Sequence, residues 1–272
     1  MISAGLDLGA GSTKGVLLED GKRVLASALA PTRGNPVERA RQVFERMAQE
    51  ANILSDEVGY LCTTGAARYA LPERHLQVSD ITASARGAVF LVPGTRHVVD
   101  IGNQSSRAVS VSETGRVVRF KMNEKCAAGA GRFVDRCAKY LQVPPEEMAD
   151  RALASAHPKM ISSVCAVLAE TEIINSIAEE VPLPDILMGV YLSLAQRAYL
   201  LMRYVGIQPE VTLVGGLVHS AAMARALEQM TKCPIATPEM GQFAAALGAA
   251  SLGYARLQKL SSPSLPRGDS GV

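Results

Sequence analysis

The sequence predicts an α/β protein made of two duplicated lobes. Three observations predict it. A glycine-broken β-hairpin opens the chain. The same pattern returns 93 residues later, at Asp100 for Asp7. An amphipathic helix and a largely helical second half, punctuated by short apolar strands, supply covering layers for two sheets.

Residues 2–8 read as a buried strand broken by Gly9-Ala10-Gly11-Ser12. Residues 14–19 form a second strand, Asp20-Gly21 a hairpin turn, and residues 24–29 a third strand. Residues 36–53 carry Val37, Ala40, Val43, Phe44, Met47 and Ala51 on one helical face. A strand over 58–63 and a helix over 81–91 follow. Helices are expected over 131–141, 146–154, 164–180 and 184–204. A strand at 211–214 runs into Gly215-Gly216-Leu217, then come a helix over 220–230, a strand near 234–236 and a last helix over 242–257. The tail 261–271 is rich in Ser, Pro and Gly and is expected to be disordered.

The repeat carries the chemistry. Asp7-Leu8-Gly9-Ala10-Gly11-Ser12-Thr13-Lys14 aligns with Asp100-Ile101-Gly102-Asn103-Gln104-Ser105-Ser106-Arg107. Both copies run from an apolar strand through Asp-x-Gly to small polar residues, a basic residue and a second strand. Two copies at this distance mean a duplicated domain, not a solenoid. A tight glycine turn lets backbone approach a phosphate, and its N–H groups form an anion-binding concavity. Ser12, Thr13, Ser105 and Ser106 add hydroxyls, and Lys14 adds charge. An Asp at each strand end can hold Mg²⁺ directly or through water. Two facing copies can grip a triphosphate from opposite sides, so the pattern points to nucleotide binding. The alternative is two ordinary hairpins. The Walker order is absent, and Lys14 stands where a dinucleotide fingerprint needs its third glycine. Gly215-Gly216-Leu217 offers flat backbone for a nucleoside.

Composition sets the remaining bounds. Of 272 residues, 48% are hydrophobic and 20% charged, as in a globular protein. Trp is absent and Gly numbers 23, so Ala, Val, Leu and Gly must fill the core by tight helix-on-sheet packing. A net charge of +2 argues against nucleic acid as a partner. No apolar run reaches membrane-span length, so no membrane partner is expected. There is no signal-peptide pattern, and five scattered cysteines fit a reducing cytosol better than a disulfide framework.

Two cysteines stand apart. Cys126 lies in a Gly/Ala-rich loop opening a helix, with Gly129 and Gly131 beside it. Cys165 lies near the start of the next long helix, where Ser162 or Ser163 could serve as N-cap. A helix N-terminus favours a thiolate, and loop N–H groups could donate to cluster sulfides. Two cysteines do not complete a four-ligand cluster. Either they are buried bystanders, as free cysteines often are, or a second subunit supplies two more. Cys62, Cys137 and Cys233 read as core.

At these residues the chain resembles the ATPase activators of 2-hydroxyacyl-CoA dehydratases and the ATPase subunits of benzoyl-CoA reductase (the BadF/BadG/BcrA/BcrD ATPase family). The resemblance runs from the first hairpin to the last helix. It is carried by Gly5-Leu6-Asp7-Leu8-Gly9, residues 125–133 around Cys126, residues 165–172 around Cys165, Val214-Gly215-Gly216 and Ala246-Leu247-Gly248-Ala249-Ala250. It implies an actin-like ATPase (ribonuclease H-like) fold with ATP between the lobes. The lobes are expected at 1–95 and 96–258, with the last helix packing back onto the first and a tail at 259–272. The resemblance implies ATP, Mg²⁺ and one [4Fe–4S] cluster, with Cys126 and Cys165 as ligands and the equivalent pair from a second ATPase subunit. ATP would reorient the cluster-bearing helices and drive a low-potential electron from a ferredoxin-type donor into CoA-thioester-reducing subunits.

On this basis Asp7 and Asp100 are assigned to Mg²⁺ and its water. Gly9, Ala10, Gly11, Ser12, Thr13 and Lys14, with Gly102, Asn103 and Gln104, are assigned to the phosphates, Gly129 and Gly131 to cofactor binding beside Cys126, and Gly215, Gly216 and Leu217 to the nucleoside. Gln104 is the candidate to orient the attacking water. Glu170 and Glu172 are secondary candidates, with a solvated or capping helix face as the alternative. One departure stands out. Homodimeric activators usually read Asp-Ile-Gly-Gly-Gln-Asp at the second hairpin, and here Ser105 replaces the second acid. With residues 85–89 and 163–171, this is similar to the smaller ATPase subunit of benzoyl-CoA reductase, a dearomatising enzyme whose two ATPase chains differ. Activation of a 2-hydroxyacyl-CoA dehydratase is the alternative. A small-molecule kinase or an assembly protein on the same fold are the rival classes.

Overall fold

The computed structural model describes residues 1–123 and 130–261. Residues 124–129, with the assignments to Cys126 and Gly129, and the tail beyond 261 lie outside the described residues.

Two five-stranded mixed sheets form the frame among the described residues. The first contains β1 (Ile2–Leu8), β2 (Ser12–Glu19), β3 (Arg23–Pro31), β4 (Val58–Thr64) and β5 (Leu76–Gln77), in the order β3-β2-β1-β4-β5. The second contains β6 (His97–Ile101), β7 (Ser106–Val111), β8 (Val117–Asn123), β9 (Val211–Gly215) and β10 (Ile235–Ala236), in the order β8-β7-β6-β9-β10 when read from its other edge. The duplication is thus complete in topology, and it extends to register. Asp7 pairs with Lys14 and Leu8 with Thr13; 93 residues on, Asp100 pairs with Arg107 and Ile101 with Ser106. Thr13 pairs with Ala30 as Ser106 does with Asn123, and the register shift at Leu17/Leu18 recurs at Ser110/Val111. Strand β8 completes the second copy.

Eight α-helices cover these sheets among the described residues. Helix α1 (Pro36–Ala51) lays Ala40, Val43 and Met47 against Leu6, Leu8 and Leu17. It stops two residues short of the expected end because Asn52 turns left-handed (φ 52°) and bonds back to Ala48 and Gln49. Helices α3 (Gly131–Tyr140), α4 (Met148–Leu153), α6 (Leu183–Val205) and α7 (Ala221–Thr231) share one apolar core with the outer face of the second sheet. Between the sheets run α2 (Asp80–Leu91) and α8 (Ala244–Ser261). Here small residues are obligatory. A Cβ on Gly5 would fall 1.9 Å from the Ala246 carbonyl oxygen, and one on Gly248 1.9 Å from that of Ala83. The Ala/Gly-rich composition therefore encodes backbone-to-backbone packing of α8 on β1 and α2.

Helix α5 (Ala166–Ala178) begins later than expected, with Cys165 itself as N-cap and no side-chain capping bond; Ser162 and Ser163 lie upstream of the cap. Cys62 and Cys137 are core, as read, and burial pushes both thiols up to about 12. Cys233 is a correction. It sits in the connection between α7 and β10 and is only partly buried against the core.

Candidate functional site: a cleft between the two hairpins

Both strand-ending hairpins open on one cleft of about 710 Å³. Asp7, Gly9, Ala10, Gly11, Ser12 and Lys14 line it from the first sheet. Asp100, Gly102, Asn103, Gln104 and Ser105 line it from the second, joined by Gly131, Gly215, Gly216 and Leu217. The hairpin tips meet: a Cβ on Gly11 would lie 2.8 Å from the Asn103 side chain.

Thr13 is placed elsewhere. Its side chain is fully buried and its hydroxyl lies 3.1 Å from that of Thr32. Because β2 begins at Ser12, alternation turns Ser12 and Lys14 to the cleft and Thr13 away from it. Starting this strand at residue 14 instead of Ser12 hid this. Cys165 is not among the cleft-lining residues.

The two carboxylates are held differently. Asp7 is half-buried, and desolvation raises its pKa; Lys14 opposes the shift and Asp100 adds to it. Asp100 accepts hydrogen bonds from the Ser84 hydroxyl (2.7 Å) and from Arg107 (2.9 Å) on the same oxygen. Arg107 also bonds to Asp80 and to the Ser105 hydroxyl (2.8 Å). Desolvation opposes the charge on Arg107, yet Asp100 and Asp80 together hold its pKa above the usual value.

Each carboxylate is backed by a left-handed glycine. A Cβ on Gly65 (φ +89°) would sit 2.4 Å from Asp7 Oδ1, and one on Gly215 (φ +91°) 2.6 Å from Asp100 Oδ1. The Ala67 amide donates to the Leu8 carbonyl (3.1 Å), and the Gly216 amide to that of Ile101 (3.0 Å). Gly65, Asp80 and Ser84 were not singled out from sequence. The signal for Gly65 was its place after β4, matching Gly215 at the end of β9. No comparable signal marks Asp80 or Ser84, which reach the site only because α2 crosses it.

This lining suits a magnesium–polyphosphate. Hard oxygens face each other from two lobes, glycine turns admit close approach, and Lys14 supplies a cation. Among the described residues no group of three or more His, Cys, Asp or Glu could hold a metal alone. A cation here would need water and phosphate oxygens to complete its shell, as Mg²⁺ commonly does.

The chain matches the BadF/BadG/BcrA/BcrD ATPase family over residues 4–253. It is 33% identical to the 2-hydroxyisocaproyl-CoA dehydratase activator of Clostridioides difficile, over 92% of this chain and 94% of that protein. It is 34% identical to one of the benzoyl-CoA reductase subunits of Thauera aromatica, over 95% of both chains. The solved activator of 2-hydroxyisocaproyl-CoA dehydratase from Clostridium difficile, with bound ADPNP, superposes with a TM-score of 0.90 at 32% identity, over 96% of this chain and 97% of that one. A match spanning both sheets, together with the duplicated Asp-x-Gly cleft, places this chain in the BadF/BadG/BcrA/BcrD ATPase family, on an actin-like ATPase fold.

Proposed function

We propose that the chain is a cytoplasmic, ATP-hydrolysing electron activator. It shares a [4Fe–4S] cluster with a second ATPase subunit and serves a CoA-thioester reductase of the benzoyl-CoA reductase type. The observation that carries this is a division of labour. The duplicated hairpins face one cleft, while Cys165 lies outside it at the start of a helix whose surface is apolar and open. Val164 and Val167 are 81% and 67% exposed, with Leu168, Ile174 and Ile177 exposed beside them.

The donor chemistry fits a cluster. Cys62 and Cys137 are held protonated by burial, whereas the Cys165 thiol is half-buried and is not spent as a helix cap. Cys165, with Cys126 and the equivalent pair of the second subunit, would hold the cluster, which supplies a one-electron carrier when bound. The chain's residues do the rest. Asp7 and Asp100 hold Mg²⁺ and its water, and Lys14 and the hairpin amides bind the phosphates. Gln104 orients the attacking water, and Gly215 to Leu217 seat the nucleoside. ATP can move the lobes only as far as it prefers one arrangement over the other. A ferredoxin-type protein is the donor.

Activation of a 2-hydroxyacyl-CoA dehydratase is the second reading, supported by a near-equal identity of 33% against 34%. The reductase reading rests on the resemblance at the second hairpin, where Ser105, bonded to Arg107, stands in place of the homodimeric activators' acid. The test is anaerobic purification of wild type and Cys165→Ala with its co-purifying subunits, followed by iron and sulfide analysis, ATPase assay, and reduction of benzoyl-CoA against dehydration of a 2-hydroxyacyl-CoA. Loss of iron with retained nucleotide binding in Cys165→Ala, and benzoyl-CoA turnover in wild type, are expected. A wild-type protein without iron would overturn the electron-transfer reading.

A further inference from the structure

A continuous set of polar contacts joins the cleft to the Cys165 helix. It begins at the second hairpin, where the carbonyls of Gly102 and Asn103 accept the amides of Gly131 (2.9 Å) and Arg132 (3.0 Å). Helix α3 therefore hangs by its first residues from a loop that lines the cleft. Farther along α3, Arg136 Nη2 lies 2.6 Å from Oε1 and 2.8 Å from Oε2 of Glu170 on α5. The Tyr140 hydroxyl donates to Oε2 (3.3 Å). Oε1 is buried and has no well-aligned hydrogen bond, so its approach to Arg136 is chiefly ionic. The Glu170 side chain is 13% exposed and that of Arg136 40%, so the pair is partly shielded and screened less than one that is exposed on both sides.

Apolar packing does little to fix α5. It buries only Ala169, Ile173 and Ser176, while most of its large side chains face outward. Polar contacts carry the placement. The segment before Cys165 is held from behind by Arg197, which donates to the carbonyls of Ser163 (2.7 Å) and Ser162 (3.0 Å). Glu172 accepts the Ser162 amide (2.5 Å). An element with few buried apolar contacts is one that opens or shifts at low cost.

We propose that Glu170 is a positioning residue that couples the nucleotide loop to Cys165. Its clasp with Arg136 makes α3 and α5 move together, so a displacement of residues 102–104 by bound polyphosphate reaches the start of α5. This rests on the proposed nucleotide and cysteine roles, and it assigns the transmission to a particular ion pair. Contiguity is a physical route; coupling requires that both ends respond.

The test is amide hydrogen exchange on the full chain, purified anaerobically, with and without the magnesium complex of a non-hydrolysable ATP analogue. In wild type, exchange should change both at residues 102–105 and at residues 166–170. In Glu170→Gln the loop response should persist, while the α5 response falls by at least about 5-fold, the lower end of ordinary allosteric coupling. The charge swap Arg136→Glu with Glu170→Arg should restore it. An undiminished α5 response in Glu170→Gln overturns the inference and leaves the proposed function standing. A wild-type loop response without one in α5 overturns the coupling alone. No response at either place refutes the nucleotide reading and the inference with it. If Glu170→Gln loses the loop response as well, Arg136→Lys, which keeps the charge but not the guanidinium fork, is judged by the same criteria.

Discussion

The first and second hairpins share a register residue for residue and differ in what they place on it. In the first, a half-buried Asp7 faces Lys14 across the strand pair, and burial works against its charge. In the second, the same two positions hold Asp100 and Arg107, locked together and to Asp80, Ser84 and Ser105. The two copies keep one backbone geometry and divide the electrostatics. One copy keeps a lysine that faces the Asp7 charge across the strand pair. The other is an ion network anchored to α2, the helix between the sheets.

That contrast makes unequal predictions for equal mutations. Asp100→Asn leaves a buried arginine, 12% exposed, short of one of its two carboxylates. It should cost about 3 kcal/mol, as breaking a buried pair typically does. Asp7→Asn should cost less than about 1 kcal/mol, because it removes a charge that burial already disfavours. Urea unfolding of both variants measures the difference, and equal costs would mean that the two hairpins bear the same load.

A smaller difference is expected between the two backing glycines. Gly65→Ala and Gly215→Ala both introduce a left-handed alanine against a carboxylate, at about 1–3 kcal/mol each. Each new Cβ also meets backbone, Leu8 at 2.7 Å and Ile101 at 2.6 Å, so the ranking rests on the carboxylates: the cost should be greater at Gly215, where Asp100 is tied to both Ser84 and Arg107. Thermal unfolding of the pair, with nucleotide titration, checks the ranking; a larger cost at Gly65 would contradict it.

The smallest effect is a pH dependence confined to the second lobe. Position 97 is histidine where its counterpart in the first copy, 93 residues earlier, is Ala4. His97 is 4% exposed, and burial lowers its pKa, opposed by its contact with the Gln208 carbonyl. Above the ordinary histidine pKa the ring is neutral in both states and the fold bears no penalty. As pH falls below about 6.5, the unfolded chain takes up a proton that folded His97 resists, and stability drops. Unfolding free energies from about pH 7 to pH 5 should fall in wild type and flatten in His97→Ala. An unchanged slope in the variant would assign the acid sensitivity to other groups.

Much of this architecture could be read along the chain. The Asp-x-Gly repeat foretold two hairpins in one register because antiparallel pairing across a short turn is a local matter. The glycines and alanines of β1, α2 and α8 foretold close packing because nothing larger fits between touching backbones. Most cleft residues were legible for the same reason: they sit at strand ends whose position the hairpin dictates. Helix ends were read less well, as at Asn52 and Cys165, where a single residue's backbone conformation sets the boundary. Asp80 and Ser84, the partners of the second hairpin's Asp100–Arg107 pair, and the Arg136–Glu170 clasp could not be read at all. Their spacing along the chain is large and carries no period. Such contacts exist only once helices from distant segments have been laid across one another, and it is burial in that assembly that turns ordinary charged residues into a network.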